Sequence, residues 1–162
     1  MSAHDIEQAF PKLAAEGWKK SSDATADYNC FAFALHNKEE WFSPLPLGGY
    51  YWPEGKVQRN TFLSTMIALY KHEGGFEPCD NGGYEEGFEK IALYMNQSGN
   101  VTHAERQIDA KTWTGKMGIM EDIEHPLLSS VEDTGLADDD YGKVAQFLKR
   151  HISAKAHHKR SG

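Results

Sequence analysis

Two residues of this 162-residue chain have the types that could together perform nucleophilic chemistry. Cys30 stands in the run Tyr28-Asn29-Cys30-Phe31-Ala32-Phe33-Ala34, and His103 in Thr102-His103-Ala104-Glu105-Arg106-Gln107. A thiolate attacks a carbonyl carbon, while a neighbouring imidazolium stabilises the thiolate and later protonates the leaving group. The competing reading of Cys30 is an inert core residue, because cysteine is among the most frequently buried side chains. Cys79, in the loop from Gly75 to Asn81, reads as structural. Two cysteines without a C-x-x-C pair make no disulfide framework, although a Cys30–Cys79 bridge would remove the nucleophile in that oxidised form.

Each of the two residues needs an element to hold it. A helix capped by Asp27 and running through Phe31, Ala34 and Leu35 toward His36 would put Cys30 in its first turn, where a helix N-terminus favours a thiolate. Apolar residues on every side of that helix make it central. The segment around His103 alternates like a strand. If Asp109-Ala110 is a two-residue hairpin loop, Ile108 pairs with Lys111, His103 lies opposite Lys116, and Thr114 is its diagonal neighbour. Lys116 has no acceptor and Thr114 only a neutral hydroxyl, so the better orienter of the imidazole is Asp122, just beyond that strand, with Thr114 second. Asn29 is either a donor to an oxyanion or simply a helix cap.

Around these parts, Asp5 to Gly17 reads as a short amphipathic helix broken or restarted at Pro11, and Thr61 to Glu73 as a strong helix stopped by Gly74. Period-two patterns mark strands at Phe88 to Met95, Val101 to Ile108 and Lys111 to Met117, an antiparallel meander. Pro126 to Asp133 and Tyr141 to His151 read as closing helices around the acidic loop Asp138-Asp139-Asp140. The connection from Asn37 to Asn60 is long and broken by Pro and Gly, yet it holds Trp41, Phe42, Tyr50, Tyr51 and Trp52. Leaving so many rings in water is unfavourable, so this segment is expected to pack over the site, with Tyr51 and Trp52 facing substrate.

Composition narrows the function classes. The net charge of -7 argues against nucleic acid as a partner, since such proteins cluster Lys and Arg to displace phosphate counterions. The amino end lacks the apolar run of a secretory signal, and no stretch approaches a membrane span, so the expected compartment is the cytoplasm. A zinc set of His103, His125, Cys79 and Asp122 would lack the short-range ligand pairs such sites use, and no glycine-rich loop follows a strand to hold phosphate. No metal and no cofactor are expected. Residues 1–150 form one domain in this reading, and 151–162 a basic, solvated tail containing His157-His158.

The motifs Tyr28 to Ala34, Tyr51-Trp52-Pro53, Glu89 to Tyr94, Thr102-His103-Ala104, Trp113 to Gly118, Asp122 to His125 and Tyr141-Gly142 resemble a mostly bacterial family known only as a domain of unknown function. The resemblance spans about Phe10 to Arg150. It departs from the family pattern at Gly115, where a serine is expected before the lysine, and at Ala110, where a hairpin glycine is usual. In the motif positions Lys116 and His125 are either site residues, binding substrate, or packing partners. More distantly, a helix-borne Cys followed by a strand-borne His is similar to the NlpC-type and CHAP-type amidases of the papain-like superfamily. That likeness implies an α+β, papain-like fold: a helical amino half with Cys30 on a central helix, an antiparallel sheet carrying His103, and carboxyl-terminal helices. It also implies Cys30 as nucleophile and His103 as base in acyl transfer from an amide, ester or thioester of a small molecule, peptide or protein. The rival is a non-catalytic binding or immunity protein that recognises its ligand through the aromatic surface.

Overall fold

A computed structural model describes residues 3–46, 48–117, 120–132 and 141–152. Two short helices, α1 (Ala3–Ala9) and α2 (Pro11–Glu16), open the chain, with Pro11 in the first turn of α2, where its missing N–H costs nothing. Then come β1 (Lys19–Ser22), α3 (Cys30–Phe33), α4 (Leu63–Gly74), β2 (Glu77–Cys79), β3 (Phe88–Met95), β4 (Val101–Asp109), β5 (Thr112–Lys116) and β6 (Asp122–His125). A 3-10 turn at Leu128–Val131 and β7 (Lys143–His151) follow. The strands form one seven-stranded sheet in the order β1-β6-β5-β4-β3-β7-β2, with every pairing antiparallel.

This architecture overturns the papain-like expectation. No central helix carries Cys30: α3 is a single turn of four residues, and the chain leaves it through His36 at φ 62°. The expected closing helix at 141–151 is instead β7, which pairs with β3 on one side and β2 on the other. Val144, Phe147 and Leu148 have helical spacing, but the open edge of β3 offers a complete backbone ladder, and tertiary pairing overrides local preference. The second closing segment contracts to the 3-10 turn. His151 pairs with Phe88, so the strand runs into the segment read as tail. The acidic loop at 138–140 and the remaining tail residues, His157-His158 among them, lie outside the described residues.

Alternation along β3 explains the layering. Ile91 and Leu93 point into a core cluster with Cys30, Phe31, Met66, Leu69 and Tyr70, so α3 and α4 cover one face. Ala92 and Tyr94 join Ile6, Phe10, Leu13, Trp113 and Ile123, so α1, α2 and the 3-10 turn cover the other. Both faces of the central strands are dry, and the polar residues found there must be satisfied by one another.

Candidate functional site

Asn29 starts α3 by capping it: its Oδ1 accepts from the Ala32 N–H at 3.2 Å. The same side chain binds the backbone of Phe42, accepting its N–H at 3.2 Å and donating to its carbonyl at 2.7 Å. Asn29 therefore joins the Cys30 turn to the aromatic loop. Asn29, not Asp27, is the cap, and Cys30 follows it in the first turn, 7% exposed. One helical turn carries only a small part of a helix dipole, so α3 places little positive charge beside the thiol.

Cys30 belongs to the cluster that contains Val101 and Ala104, and its thiol acts on His103, which lies between them in sequence. His103 flanks an irregularity where the β3–β4 register shifts between Tyr94 and Met95, the kind of bulge that re-aims side chains. It is fully buried. Its Nε2 donates to Glu105 Oε2 at 2.6 Å, while Nδ1 has no well-aligned hydrogen bond. The thiol acts on the imidazole without a well-formed hydrogen bond to it. Tyr141 stacks on the His103 ring at 4.1 Å, with the planes 6° apart. Gly142 makes that placement possible. It has φ +78°, and a Cβ there would lie 1.9 Å from the Met95 carbonyl oxygen, so only glycine lets this backbone approach β3.

Glu105 is the carboxylate that meets His103. Residues i and i+2 of a strand share a face, which sets its carboxylate beside His103 and leads it on to His125 on β6, whose Nε2 lies 2.7 Å from Oε1. His125 Nδ1 lies 2.8 Å from the Leu127 carbonyl. A carbonyl oxygen and a carboxylate can only accept, so both nitrogens of His125 carry protons and the ring is an imidazolium. Its shift agrees: burial pushes it down, but the charge and hydrogen bond of Glu105 raise it above the usual histidine value. Burial likewise opposes the charged form of Glu105, yet the His125 charge and the bonds from both imidazoles hold it at about 2. His103 is also penalised by burial, and its interactions with Cys30 and then Glu105 raise it to about 9. At neutral pH the imidazole beside the thiol carries its proton.

Gly115 makes room for this arrangement. A Cβ at that position would lie 2.1 Å from Glu105 Oε2 and 3.0 Å from His103 Nε2. The glycine that departs from the expected serine is therefore what this Glu105–His103 contact requires.

The other candidates from the sequence fall elsewhere. The β4–β5 register is Arg106↔Thr114 and Gln107↔Trp113, with a shift before Asp109↔Thr112. Asp109 accepts from the Lys111 N–H at 2.8 Å in the turn, which leaves Ile108 out of the ladder instead of opposite Lys111. A one-residue slip moves side chains to the opposite face, so Thr114 and Lys116 do not flank His103. Thr114 donates to the Ile123 carbonyl at 2.7 Å. Lys116 donates to the Met120 carbonyl and lies 5.3 Å from the Tyr28 ring centre. Asp122 accepts from Ser22 and Tyr28, with Lys38 at 3.9 Å, and does not reach His103. Trp52 is a core residue whose indole donates to the Gln58 carbonyl at 3.0 Å, and Tyr51 donates to Glu73 at 2.9 Å. Trp41, Tyr50 and Tyr51 do line a recess of about 490 Å³ beside Asp27, but Cys30 is not on its wall. Cys79 lies on the edge strand β2, and no group of three or more His, Cys, Asp or Glu among the described residues is placed to hold a metal ion. No described helix is long and apolar enough to cross a membrane.

The residue missed in the sequence is Glu105, and the signal was local: His-x-Glu on an alternating strand. A family model matches residues 19–149, covering every part of this site from β1 to β7. The chain belongs to the family described as Domain of unknown function (DUF7689). That match spans Cys30, His103, Glu105, Gly115 and His125 together. No curated protein and no solved structure matches the chain.

Proposed function

We propose that this chain is a cysteine hydrolase or acyl transferase in which Cys30 is the nucleophile, His103 the acid and base, and Glu105 the group that orients His103. The observation that carries the reading is the buried line from the Cys30 thiol through His103 to Glu105, with His103 raised by both neighbours. In this reading the Cys30 sulfur attacks the carbonyl carbon of an amide, ester or thioester, and the carbonyl π electrons move onto oxygen. Collapse of that intermediate expels the leaving group, which takes the proton from His103, and leaves an acyl thioester on Cys30. Water or another acceptor then attacks the thioester as His103 removes its proton, releasing the acyl product and the Cys30 thiolate beside the re-protonated imidazole. The Ala32 N–H is occupied by the Asn29 cap and the Phe33 N–H by the Asn29 carbonyl, so the first-turn amides of Cys30 and Phe31 are the donors suited to an oxyanion.

A second reading, a non-catalytic binding protein, is favoured by one observation: Cys30 and His103 are both buried, and Cys30 does not line the aromatic recess. Intact-mass spectrometry after incubation with p-nitrophenyl acetate and butyrate separates the two. Acyl transfer predicts a single adduct, mapped to Cys30 and lost in Cys30→Ala. A folded wild-type chain that never acylates at Cys30 while Cys79 does would select the binding protein.

A further inference from the structure

We propose that the recess beside Arg106 is a binding site for an organic carboxylate with an apolar body. This does not rest on the acyl-transfer reading. The recess, about 190 Å³, is lined by Arg106, Glu89 and His36 together with Tyr84, Phe88, Ile108 and Ile152. Arg106 is mostly buried, its guanidinium lying 5.2 Å from the Phe33 ring centre, and its Nε is enclosed with no hydrogen-bond partner. Among the described residues it forms no ion pair: Glu89, Asp122 and Glu124 act on it only through space. Burial accordingly pushes the guanidinium below its ordinary pKa.

The carboxylate best placed to neutralise it is committed elsewhere. Glu89 Oε1 lies 2.8 Å from His36 Nε2 and 3.5 Å from Arg150. The adjacent Gln107 amide is held by the Gly82 carbonyl at 2.8 Å. A desolvated cation without a counter-ion is unfavourable, and a planar fork of N–H donors matches the two oxygens of a carboxylate. The rim adds a second requirement. Tyr84, Ile108 and Ile152 are large apolar side chains left 50%, 43% and 49% exposed around this one cation. A ligand with an anionic head and an apolar body satisfies both features, whereas inorganic phosphate would meet the guanidinium but leave the rim in water and bring a second negative charge toward Glu89.

The test is titration of the full chain with sodium hexanoate, with 1-hexanol and inorganic phosphate as controls, followed by calorimetry and by the Arg106 Nε–H resonance. Hexanoate is expected to saturate and shift that resonance, with hexanol and phosphate each binding at least about tenfold more weakly. Arg106→Gln should weaken hexanoate about tenfold or more, the scale of one charge-assisted hydrogen bond. Ile108→Asp, an exposed substitution that leaves the core intact, should weaken hexanoate by removing apolar contact and adding a negative charge at the rim. Hexanol binding as well as hexanoate, phosphate matching hexanoate, or affinity unchanged in both variants would overturn the proposal.

Discussion

Glu105 and Asp122 are both fully buried carboxylates on neighbouring parts of one sheet, and they do different work because of what touches them. Each oxygen of Glu105 meets an imidazole, so its charge fixes where two protons sit. Asp122 accepts from the hydroxyls of Ser22 and Tyr28 with Lys38 nearby, tying β1 and the segment before α3 to β6. The Tyr28 phenol shows the consequence: burial and the bond to Asp122 push it up to about 12, keeping it a neutral donor. Burial alone therefore does not mark a site. What distinguishes Glu105 is that its partners are imidazoles, which carry titratable protons, where those of Asp122 are hydroxyls.

Breaking Glu105 should have the largest effect. Glu105→Gln leaves the His125 imidazolium buried without its counter-charge, which costs about 3–5 kcal/mol on denaturant unfolding. It should also slow any Cys30-dependent turnover by about a hundredfold or more, as for a triad that loses its orienting carboxylate. The pH profile carries a further signature. A histidine raised to about 9 contributes stability that is fully present below pH 6.5 and lost as pH rises through 9. The carboxylate lowered to about 2 contributes above pH 4.5 and loses its part as pH falls through 2. In Glu105→Gln the alkaline loss should move to lower pH, and an unchanged unfolding profile would separate Glu105 from His103.

Gly115→Ser tests the same contact more gently. The added Cβ falls 2.1 Å from Glu105 Oε2, so the carboxylate must move, and a loss of about 1–3 kcal/mol is expected together with a drop in Cys30 reactivity. Wild-type stability and reactivity in this variant would show that Glu105 is not held where its bond to His103 requires. Asp122→Asn sharpens the comparison from the other side. It should cost about 1–3 kcal/mol as buried hydroxyls lose a charged acceptor, yet leave Cys30 reactivity within about twofold of wild type. Reactivity falling in step with Glu105→Gln would erase the distinction between the two carboxylates.

The parts of this fold legible in the sequence were those with a local period. The alternation at 88–95 and 101–108 and the spacing of Phe62, Met66, Leu69 and Tyr70 correspond to β3, β4 and α4. What stayed hidden depends on distant partners. Residues 143–151 carry a pattern that suits either helix or strand, and only the presence of β3 and β2 on either side decides it. The site was hidden by one residue: Ile108 drops out of the β4–β5 ladder, which shifts Thr114 and Lys116 away from His103 and brings Gly115 against the Glu105 carboxylate. A glycine offers no chemistry to read, while the carboxylate it accommodates sat two residues from His103 throughout.

The central claim is that His103, held by Glu105, activates Cys30. Site-resolved iodoacetamide labelling at pH 7, followed by peptide mass spectrometry in the wild type and in His103→Ala, tests it most directly. The account predicts that Cys30 labels at least about tenfold faster than the more exposed Cys79 and that His103→Ala removes this advantage. Cys79 labelling alone, or Cys30 labelling at the same rate without the imidazole, would contradict it.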